Sequence, residues 1–212
     1  MNTIELIDRL EQDKSLQKEE WIHVIEDDSE ENRKYAAHKA RALADRYYGK
    51  EIFVRGLIEF TNYCKNDCYY CGIRCSNKKA NRYRLSEEDI LACCEEGDRL
   101  GFRTFVLQGG EDPYYTDDKI VDIVREIKRR YPEHAVTLSI GERERESYER
   151  FFAAGADRYL LRHETANDTH YRKLHPESMS LSHRKQCLRD LKEIGYQTGC
   201  GFMVGSPGQT AA

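Results

Sequence analysis

Long apolar runs are missing from this sequence. No stretch approaches the roughly 18 consecutive apolar residues that a membrane-spanning helix needs. The first residues, Met1 to Leu10, include acidic side chains and lack the apolar core of a secretory signal peptide. We therefore expect a cytoplasmic protein that has no membrane partner.

The sequence also lacks an excess of basic charge. It carries 34 Lys and Arg residues against 38 Asp and Glu residues, which gives a formal net charge of -4. The two signs are interleaved along the chain, so no basic face that would attract phosphates is predicted. Nucleic acid is excluded as a partner on this ground.

Glycine and proline are scarce, with 14 and 4 residues in a chain of 212. This scarcity disfavours long disordered or fibrous segments. The length suits one globular domain with a small appendage. It is short for a closed (β/α)8 barrel, which usually takes about 250 residues.

Two patterns of apolar residues divide the chain. Up to about residue 48 they recur at helical spacing, so we expect residues 1–49 to form an N-terminal helical cap and residues 50–212 to form the core. In the core, short apolar runs alternate with amphipathic segments, which indicates an α/β fold of about five βα units with a parallel sheet. Strands are predicted at 53–60, 102–108, 135–140, 158–162 and 197–204, and helices at 86–100, 117–130, 144–154 and 182–194.

The eight cysteines are the main chemical signal. In a reducing compartment, clustered cysteines bind metal more often than they form disulfides. Cys64, Cys68 and Cys71 have the spacing C-x3-C-x2-C in a loop directly after the first predicted strand, at the sheet end where α/β folds place their chemistry. Three thiolates there can bind three irons of a 4Fe-4S cluster and leave the fourth iron open. The alternative is a structural zinc site with Cys75 as the fourth ligand.

The other four cysteines are predicted to be structural. Cys93 and Cys94 fall on the apolar stripe of one predicted helix and Cys187 on that of another, so all three are expected in the core. Cys200 is expected to be a strand residue.

The cysteine loop, with Tyr70 directly before its last cysteine, resembles that of the radical S-adenosylmethionine (SAM) enzymes. Four strings spread over residues 56–210 resemble, within that superfamily, the HydE family of FeFe-hydrogenase maturases. The strings are IEFTNYCKNDCYYCGIR at 58–74, VLQGGEDPYY at 106–115, RYLLRHET at 158–165 and MVGSPGQT at 203–210. The resemblance implies a TIM-type (β/α) barrel, of which this chain is an incomplete N-terminal fragment.

The resemblance also implies the cofactors and the reaction. Cys64, Cys68 and Cys71 would bind a 4Fe-4S cluster. After reduction by an external one-electron reductant, the cluster would pass one electron to SAM and cleave it into methionine and a 5'-deoxyadenosyl radical. The radical would act on a small-molecule or iron-complex substrate in assembly of the hydrogenase H-cluster, with other hydrogenase maturases as partners. No catalytic residue is assigned beyond the cluster ligands. Related enzymes of the methylornithine synthase or biotin synthase type, and a four-cysteine zinc module, remain alternatives.

Several residues would bind SAM according to the resemblance. Tyr70 would lie against the adenine, Glu164 would accept hydrogen bonds from the ribose hydroxyls, and Arg184 would pair with the methionine carboxylate. A Gly-Gly-Glu loop would meet the methionine ammonium through its backbone. The implied SAM-binding residues are Tyr70, Gly109, Gly110, Glu111, Ser139, Glu164 and Arg184.

The resemblance places the substrate inside the barrel, against Gln108, Ser139, Arg158 and Arg162. Strand alternation puts Arg158 and Arg162 on one face, so both could point inward. Two inward arginines imply an anionic ligand. An incomplete barrel would expose unpaired strand edges, so we expect this chain, expressed alone, to be aggregation-prone and poorly active.

Overall fold

The computed structural model describes residues 1–211, which form two compact units. One unit is Met1–Phe53 with residues 205–211, and the other is Val54–Val204. The predicted boundary after residue 49 stays a prediction. The helices of the first unit are α1 (Thr3–Asp13), α2 (Lys18–Glu26) and α3 (Glu30–Tyr48).

The first unit is helical, as the spacing of its apolar residues predicts. A capping box begins α1: the side chain of Asn2 accepts a hydrogen bond from the backbone of Glu5, whose carboxylate accepts one from the backbone of Asn2. Lys39 of α3 lies 3.0 Å from Asp8 and 2.7 Å from Glu11, both on α1. These ion pairs connect the two helices.

The second unit is a five-stranded parallel sheet in the order β1-β2-β3-β4-β5. Each strand pairs with the next strand along the chain, which is the order of a barrel rather than of a doubly wound sheet. The α/β fold class and the incomplete TIM-type barrel are confirmed. Its elements are β1 (Gly56–Thr61), α4 (Glu87–Arg99), β2 (Thr104–Gly109), α5 (Asp117–Arg130), β3 (Ala135–Ser139), α6 (Arg145–Ala153), β4 (Arg158–Leu160), α7 (Asp168–Leu174), α8 (Leu181–Ile194) and β5 (Gln197–Gly199).

The core of this unit lies between the sheet and its helices. Alternate strand residues, such as Phe105 and Leu107 in β2 and Val136 and Leu138 in β3, are buried against the apolar stripe of α5. Burying each large aliphatic side chain contributes about 1.5–3 kcal/mol. The other face of these strands is left to line the barrel interior.

Some boundaries differ from those predicted. β1 begins three residues late, at Gly56, because Phe53 and Val54 are exposed and pair with no strand. β4 and β5 are shorter than expected, and the seven-residue helix α7 was not predicted because its apolar run is too short to show a period.

Two cysteine predictions were wrong. Cys94 is buried as expected, but Cys93 is exposed, because it points about 100° away from Cys94 and falls outside the buried stripe of α4. Cys200 is exposed and follows the end of β5 instead of lying within a strand. Cys187 is buried, as predicted.

Among residues 1–211, no helix is both long enough and apolar enough to span a bilayer.

Candidate functional site

A cavity of about 250 Å³ lies at the carboxyl ends of the strands. Its wall includes the last residues of four neighbouring strands, which are Thr61, Gly109, Ser139 and Leu160. This is the end of the sheet at which α/β barrels carry their chemistry. The loops that follow the strands supply the rest of the wall.

Three cysteines line this cavity together. Cys64, Cys68 and Cys71 all contribute to the wall, whereas Cys75 is exposed and does not. Burial raises the pKa of Cys64, and it raises the pKa of Cys68 to about 11. The thiols of Cys64 and Cys68 are therefore neutral near pH 7, and metal binding would release their protons.

The cysteine loop is held in shape by Arg82, which was not anticipated from the sequence. Its guanidinium donates hydrogen bonds to the carbonyl oxygens of Asn62, Ile73 (2.9 Å), Arg74 (2.8 Å) and Asn77 (3.3 Å). Only arginine has enough donors in a fixed fork to satisfy several carbonyls at once. Both ends of the loop are thus attached to one side chain.

The Gly-Gly-Glu loop after β2 packs directly on the cysteine loop. A β-carbon on Gly110 would lie 2.2 Å from the carbonyl oxygen of Tyr63 and 2.7 Å from the β-carbon of Cys64. The backbone N–H of Lys65 also donates to the carbonyl oxygen of Glu111, at 2.9 Å. Glycine at position 110 is therefore needed for close backbone approach, not merely for a turn.

The carboxylate of Glu111 is buried and already has partners. It accepts a hydrogen bond from the backbone of Glu142 at 2.9 Å and lies 3.3 Å from the Lys65 ammonium. Gly141, at φ +80°, leaves room for it, because a β-carbon there would lie 2.1 Å from the Glu111 side chain. Glu111 therefore joins the loops after β2 and β3.

An ion pair with a buried carboxylate supports the same region. Asp112 accepts two hydrogen bonds from Arg84, at 2.7 and 2.9 Å, and one from the Thr61 hydroxyl at 2.7 Å. Although burial works in the opposite direction, these donors lower the pKa of Asp112. The Arg84 guanidinium lies over the ring of Tyr63, 3.9 Å from its centroid. The sequence analysis missed this pair, whose partners are far apart in the chain.

Glu164 is held in an uncommon backbone conformation at the cavity wall. Its φ is +62°, in the left-handed region that non-glycine residues rarely occupy, and only 5% of the residue is exposed. Its backbone N–H donates to Gly201 at 3.1 Å, and its carbonyl accepts from Met203 at 2.9 Å. Such strain persists only where the surroundings enforce it, and it clusters at functional sites.

Arg184 reaches the cavity from α8 and is also buried. It donates to the carboxylate of Glu142 at 2.5 Å and to the carbonyl oxygen of Arg162 at 2.7 Å. Burial alone would lower the pKa of Arg184, but the neighbouring Glu142 carboxylate raises it overall. The sequence did not reveal Glu142 as its partner. A fixed, buried guanidinium at a cavity wall suits recognition of a carboxylate.

Tyr70 lines the cavity beside the cysteines, with its hydroxyl oxygen 3.2 Å from Nε2 of His175. Next to it, the Cys68 sulfur lies 3.7 Å from the sulfur of Met179. His175 and Met179 follow α7, which was not predicted, so neither residue was anticipated.

Gln108 and Ser139 also line the cavity, as does Arg162. Gln108 donates a hydrogen bond of 3.0 Å to Glu59, a further wall residue in β1 that strand alternation could have suggested. The Arg162 side chain is 64% exposed, and its Nε lies 3.4 Å from the Glu164 carboxylate.

Arg158 does not reach the cavity. It is the first residue of β4 and donates to Gln197 at 2.6 Å and to Thr104 at 3.1 Å, the first residues of β5 and β2. Four residues of extended strand span about 13 Å, so a residue that shares a face with Arg162 can still lie at the opposite end of the sheet. The structure therefore corrects the prediction that both arginines line one site.

The donor set fits an iron–sulfur cluster better than a single ion. Within residues 1–211, no three His, Cys, Asp or Glu side chains are arranged to hold one metal ion. Three cysteines around one cavity, with the fourth outside it, match a cluster whose ligands bind separate irons. The four-cysteine zinc site is not assembled in the part of the chain that the structure describes.

Comparison with known sequences shows the family to which the chain is related. A family model described as the radical SAM superfamily matches residues 58–212. The chain is 53% identical over 171 residues to the FeFe-hydrogenase maturase subunit HydE of Thermotoga maritima, covering 81% of this chain and 48% of that protein. It is 33% identical over 180 residues to 3-methylornithine synthase of Methanosarcina acetivorans, covering 84% of this chain and 51% of that protein. The chain thus spans about half the length of these relatives.

Solved structures with a similar fold include two enzymes. The crystal structure of methylornithine synthase (PylB) matches with a TM-score of 0.85 and 30% identity, over 94% of this chain and 59% of that one. The structure of HydG, a maturase of FeFe hydrogenase, matches with a TM-score of 0.83 and 25% identity, over 96% of this chain and 46% of that one.

Proposed function

The chain belongs to the radical SAM superfamily, and from that premise we propose that it is the cluster- and SAM-binding part of a HydE-type maturase of FeFe hydrogenase. Enzymes of this family use a 4Fe-4S cluster and SAM. The observation that carries the proposal is that Cys64, Cys68 and Cys71 line one cavity together with Glu164 and Arg184.

The chemistry depends on the bound cofactors. When bound, the cluster supplies the electron that cleaves SAM into methionine and a 5'-deoxyadenosyl radical. The chain would supply three thiolates, from Cys64, Cys68 and Cys71. Arg82 and Gly110 keep the cysteine loop in the shape that this binding needs.

Polar groups around the cavity would hold SAM in one orientation. The buried Arg184 guanidinium would pair with the methionine carboxylate, and the Glu164 carboxylate would accept hydrogen bonds from both ribose hydroxyls. Tyr70 would lie against the adenine.

The loop after β2 would complete the SAM site. Backbone groups of Gly109, Gly110 and Glu111 line the cavity beside the cysteines and would bind the methionine ammonium. Ser139, at the end of β3, adds a hydroxyl to the same wall. Close packing of this loop on the cysteine loop would fix the ammonium site relative to the cluster.

The substrate would bind deeper in the barrel, against Gln108, Ser139 and Arg162. The exposed guanidinium of Arg162 favours an anionic small molecule or iron complex. An external one-electron reductant is required, and other hydrogenase maturases would deliver or receive the substrate. A cytoplasmic location stays a prediction.

Anaerobic reconstitution with iron and sulfide tests the cluster. We expect about four irons per chain and the brown absorption of a cluster. SAM added to the reduced protein should change its electron paramagnetic resonance spectrum and release methionine. One tightly bound zinc with no iron would instead support a four-cysteine module and contradict the proposal.

A 3-methylornithine synthase type of reaction is a second candidate, favoured by the similarity in fold to methylornithine synthase. Both candidates share the SAM cleavage and differ in substrate. Mass spectrometry of cells that make the protein separates them, because accumulation of 3-methylornithine supports only the second candidate.

A further inference from the structure

We infer that His175 is a positioning residue that fixes the orientation of Tyr70 at the cavity wall. His175 does not itself line the cavity, and it would act on SAM binding only through Tyr70. The inference rests on the proposed function, in which Tyr70 lies against the adenine. It assigns a role to a side chain that follows α7, outside every motif in the sequence.

The hydrogen bonds of His175 define its tautomer. Its Nδ1 lies 3.1 Å from the carbonyl oxygen of Tyr171, and a carbonyl oxygen can only accept, so Nδ1 carries the hydrogen. In a neutral imidazole the other nitrogen is then an acceptor. Because Nε2 lies 3.2 Å from the Tyr70 hydroxyl, Tyr70 must be the donor. The direction of both hydrogen bonds is therefore determined.

The imidazole is kept neutral and immobile. His175 is 2% exposed, and burial lowers its pKa to about 4, so it is uncharged near neutral pH. Its ring stacks on that of Tyr171, with centroids 3.8 Å apart and planes 14° apart. Tyr171 is itself buried on α7, so the stack cannot rotate into solvent.

Tyr70 is the more exposed partner, so packing alone constrains it less than it constrains His175. It is 40% exposed and meets the His175 ring edge-on, with centroids 5.4 Å apart. The adjacent backbone N–H of Tyr69 donates to Leu174 at 2.9 Å, so the end of α7 holds both the backbone and the side chain of this segment. A hydroxyl anchored to a fixed acceptor restricts the Tyr70 ring to one position before the ligand binds.

A double-mutant cycle on the reconstituted chain tests the inference. We expect Tyr70→Phe and His175→Phe each to retain iron but to weaken SAM binding about 3- to 10-fold, the size expected for one hydrogen bond. The double variant should bind no more weakly than either single variant, because all three lack the same interaction. His175→Gln, whose amide oxygen can accept at the same place, should restore most of the affinity.

The control is Tyr69→Phe, which alters the neighbouring exposed tyrosine and should leave SAM affinity unchanged. Unchanged affinity in His175→Phe, or losses that simply multiply in the double variant, would overturn the inference. Thermal unfolding and iron content of each variant identify any that fail to fold.

Nitrogen-15 spectra of histidine in the cluster-free chain provide a readout that does not depend on cofactors. We expect a protonated Nδ1 and an unprotonated Nε2 for His175, with a shift of the Nε2 resonance in Tyr70→Phe. Protonation on Nε2 would overturn the inference even if SAM binds. A wild-type chain that shows the expected tautomer but takes up no cluster would instead contradict the proposed function.

Discussion

Gly110 lies against the carbonyl oxygen of Tyr63 so closely that a β-carbon on Gly110 would stand 2.2 Å from that oxygen. The loop after β2 therefore packs directly against the start of the cysteine loop and supports it. Any side chain at this position must displace the residues that begin the cysteine loop.

Gly110→Ala should impair cluster binding more than folding. The added methyl group pushes on Tyr63 and Cys64, and overpacking of this kind costs about 1–3 kcal/mol. We expect a clear loss of iron after reconstitution, with the unfolding transition still cooperative. The control is Gly72→Ala, in the same loop, where a β-carbon meets nothing within 4 Å. Equal iron content in both variants would contradict the close packing.

Cys68→Ala should abolish the bound cluster and SAM cleavage. Two thiolates cannot replace three around the cavity, so iron content and visible absorption should fall to background. Cys75→Ala is the matched control, because Cys75 is exposed and lies outside the cavity wall. Loss of the cluster in Cys75→Ala would favour a four-cysteine site.

Glu164→Gln should weaken SAM binding about tenfold while iron content stays unchanged, because hydrogen bonds to a charged acceptor are worth about 1.5–3 kcal/mol. The amide preserves the shape of a side chain whose backbone is already strained at φ +62°. Titration of the reduced protein with SAM measures the effect. Glu177→Gln, a change at an exposed site, is the control. Wild-type affinity in Glu164→Gln would argue against a ribose contact.

Asp112→Ala should destabilise the fold by about 2–3 kcal/mol, because it removes a buried carboxylate and leaves Arg84 and Thr61 without their partner. Arg84 is partly exposed, so water compensates for some of the loss. The free energy of unfolding in urea measures the effect. By contrast, Glu96→Gln disrupts an exposed pair with Arg99 and should change the free energy of unfolding far less than Asp112→Ala does. If both substitutions changed the free energy of unfolding equally, burial of the Asp112 carboxylate would not be what makes its ion pair important.

Stability should depend on pH through His175. Its pKa is about 4 in the fold against an ordinary value of 6.5, so between these values the unfolded chain binds more protons. The contribution of His175 to the free energy of unfolding therefore decreases as pH falls from about 6.5 to about 4. The groups that face His175 are Tyr70, Tyr171 and Arg184, and the Arg184 charge adds to the effect of burial.

Urea unfolding at several pH values checks this dependence against His175→Gln, which has no titrating ring. The wild-type chain should lose more stability than the variant over that range. Parallel pH profiles of the two proteins would show that the buried imidazole does not contribute.

The sequence predicted those features that depend on local pattern. Apolar periodicity identified five strands and four of the five helices that follow them, and the spacing of Cys64, Cys68 and Cys71 identified the loop that lines the cavity. Local pattern cannot report which distant groups meet. The contacts of Arg82 with the cysteine loop and of Arg184 with Glu142 join segments that only the folded chain brings together.

The error at Arg158 has a similar origin. Alternation along a strand reveals the face on which a residue lies. The position of that residue between the amino and carboxyl ends of the sheet depends on where the strand begins and on its register with the neighbouring strands. Arg158 pairs with Thr137 and Gln197, at the amino end of the sheet. A prediction that considered both the face and the position along the strand would have retained Arg162 and omitted Arg158 from the predicted substrate-binding residues.

The dependence of the cysteine loop on Arg82, Gly110 and Glu111 bears on protein engineering. These contacts come from outside the three-cysteine motif, including a backbone hydrogen bond from Lys65 to Glu111. If residues 62–77 alone were transplanted onto another α/β scaffold, the loop would lose its packing against Gly110 and its hydrogen bonds to Arg82. A transplant that keeps the shape of the loop therefore needs two separate segments. One is the cysteine segment up to Arg82, and the other is the Gly-Gly-Glu turn that follows β2.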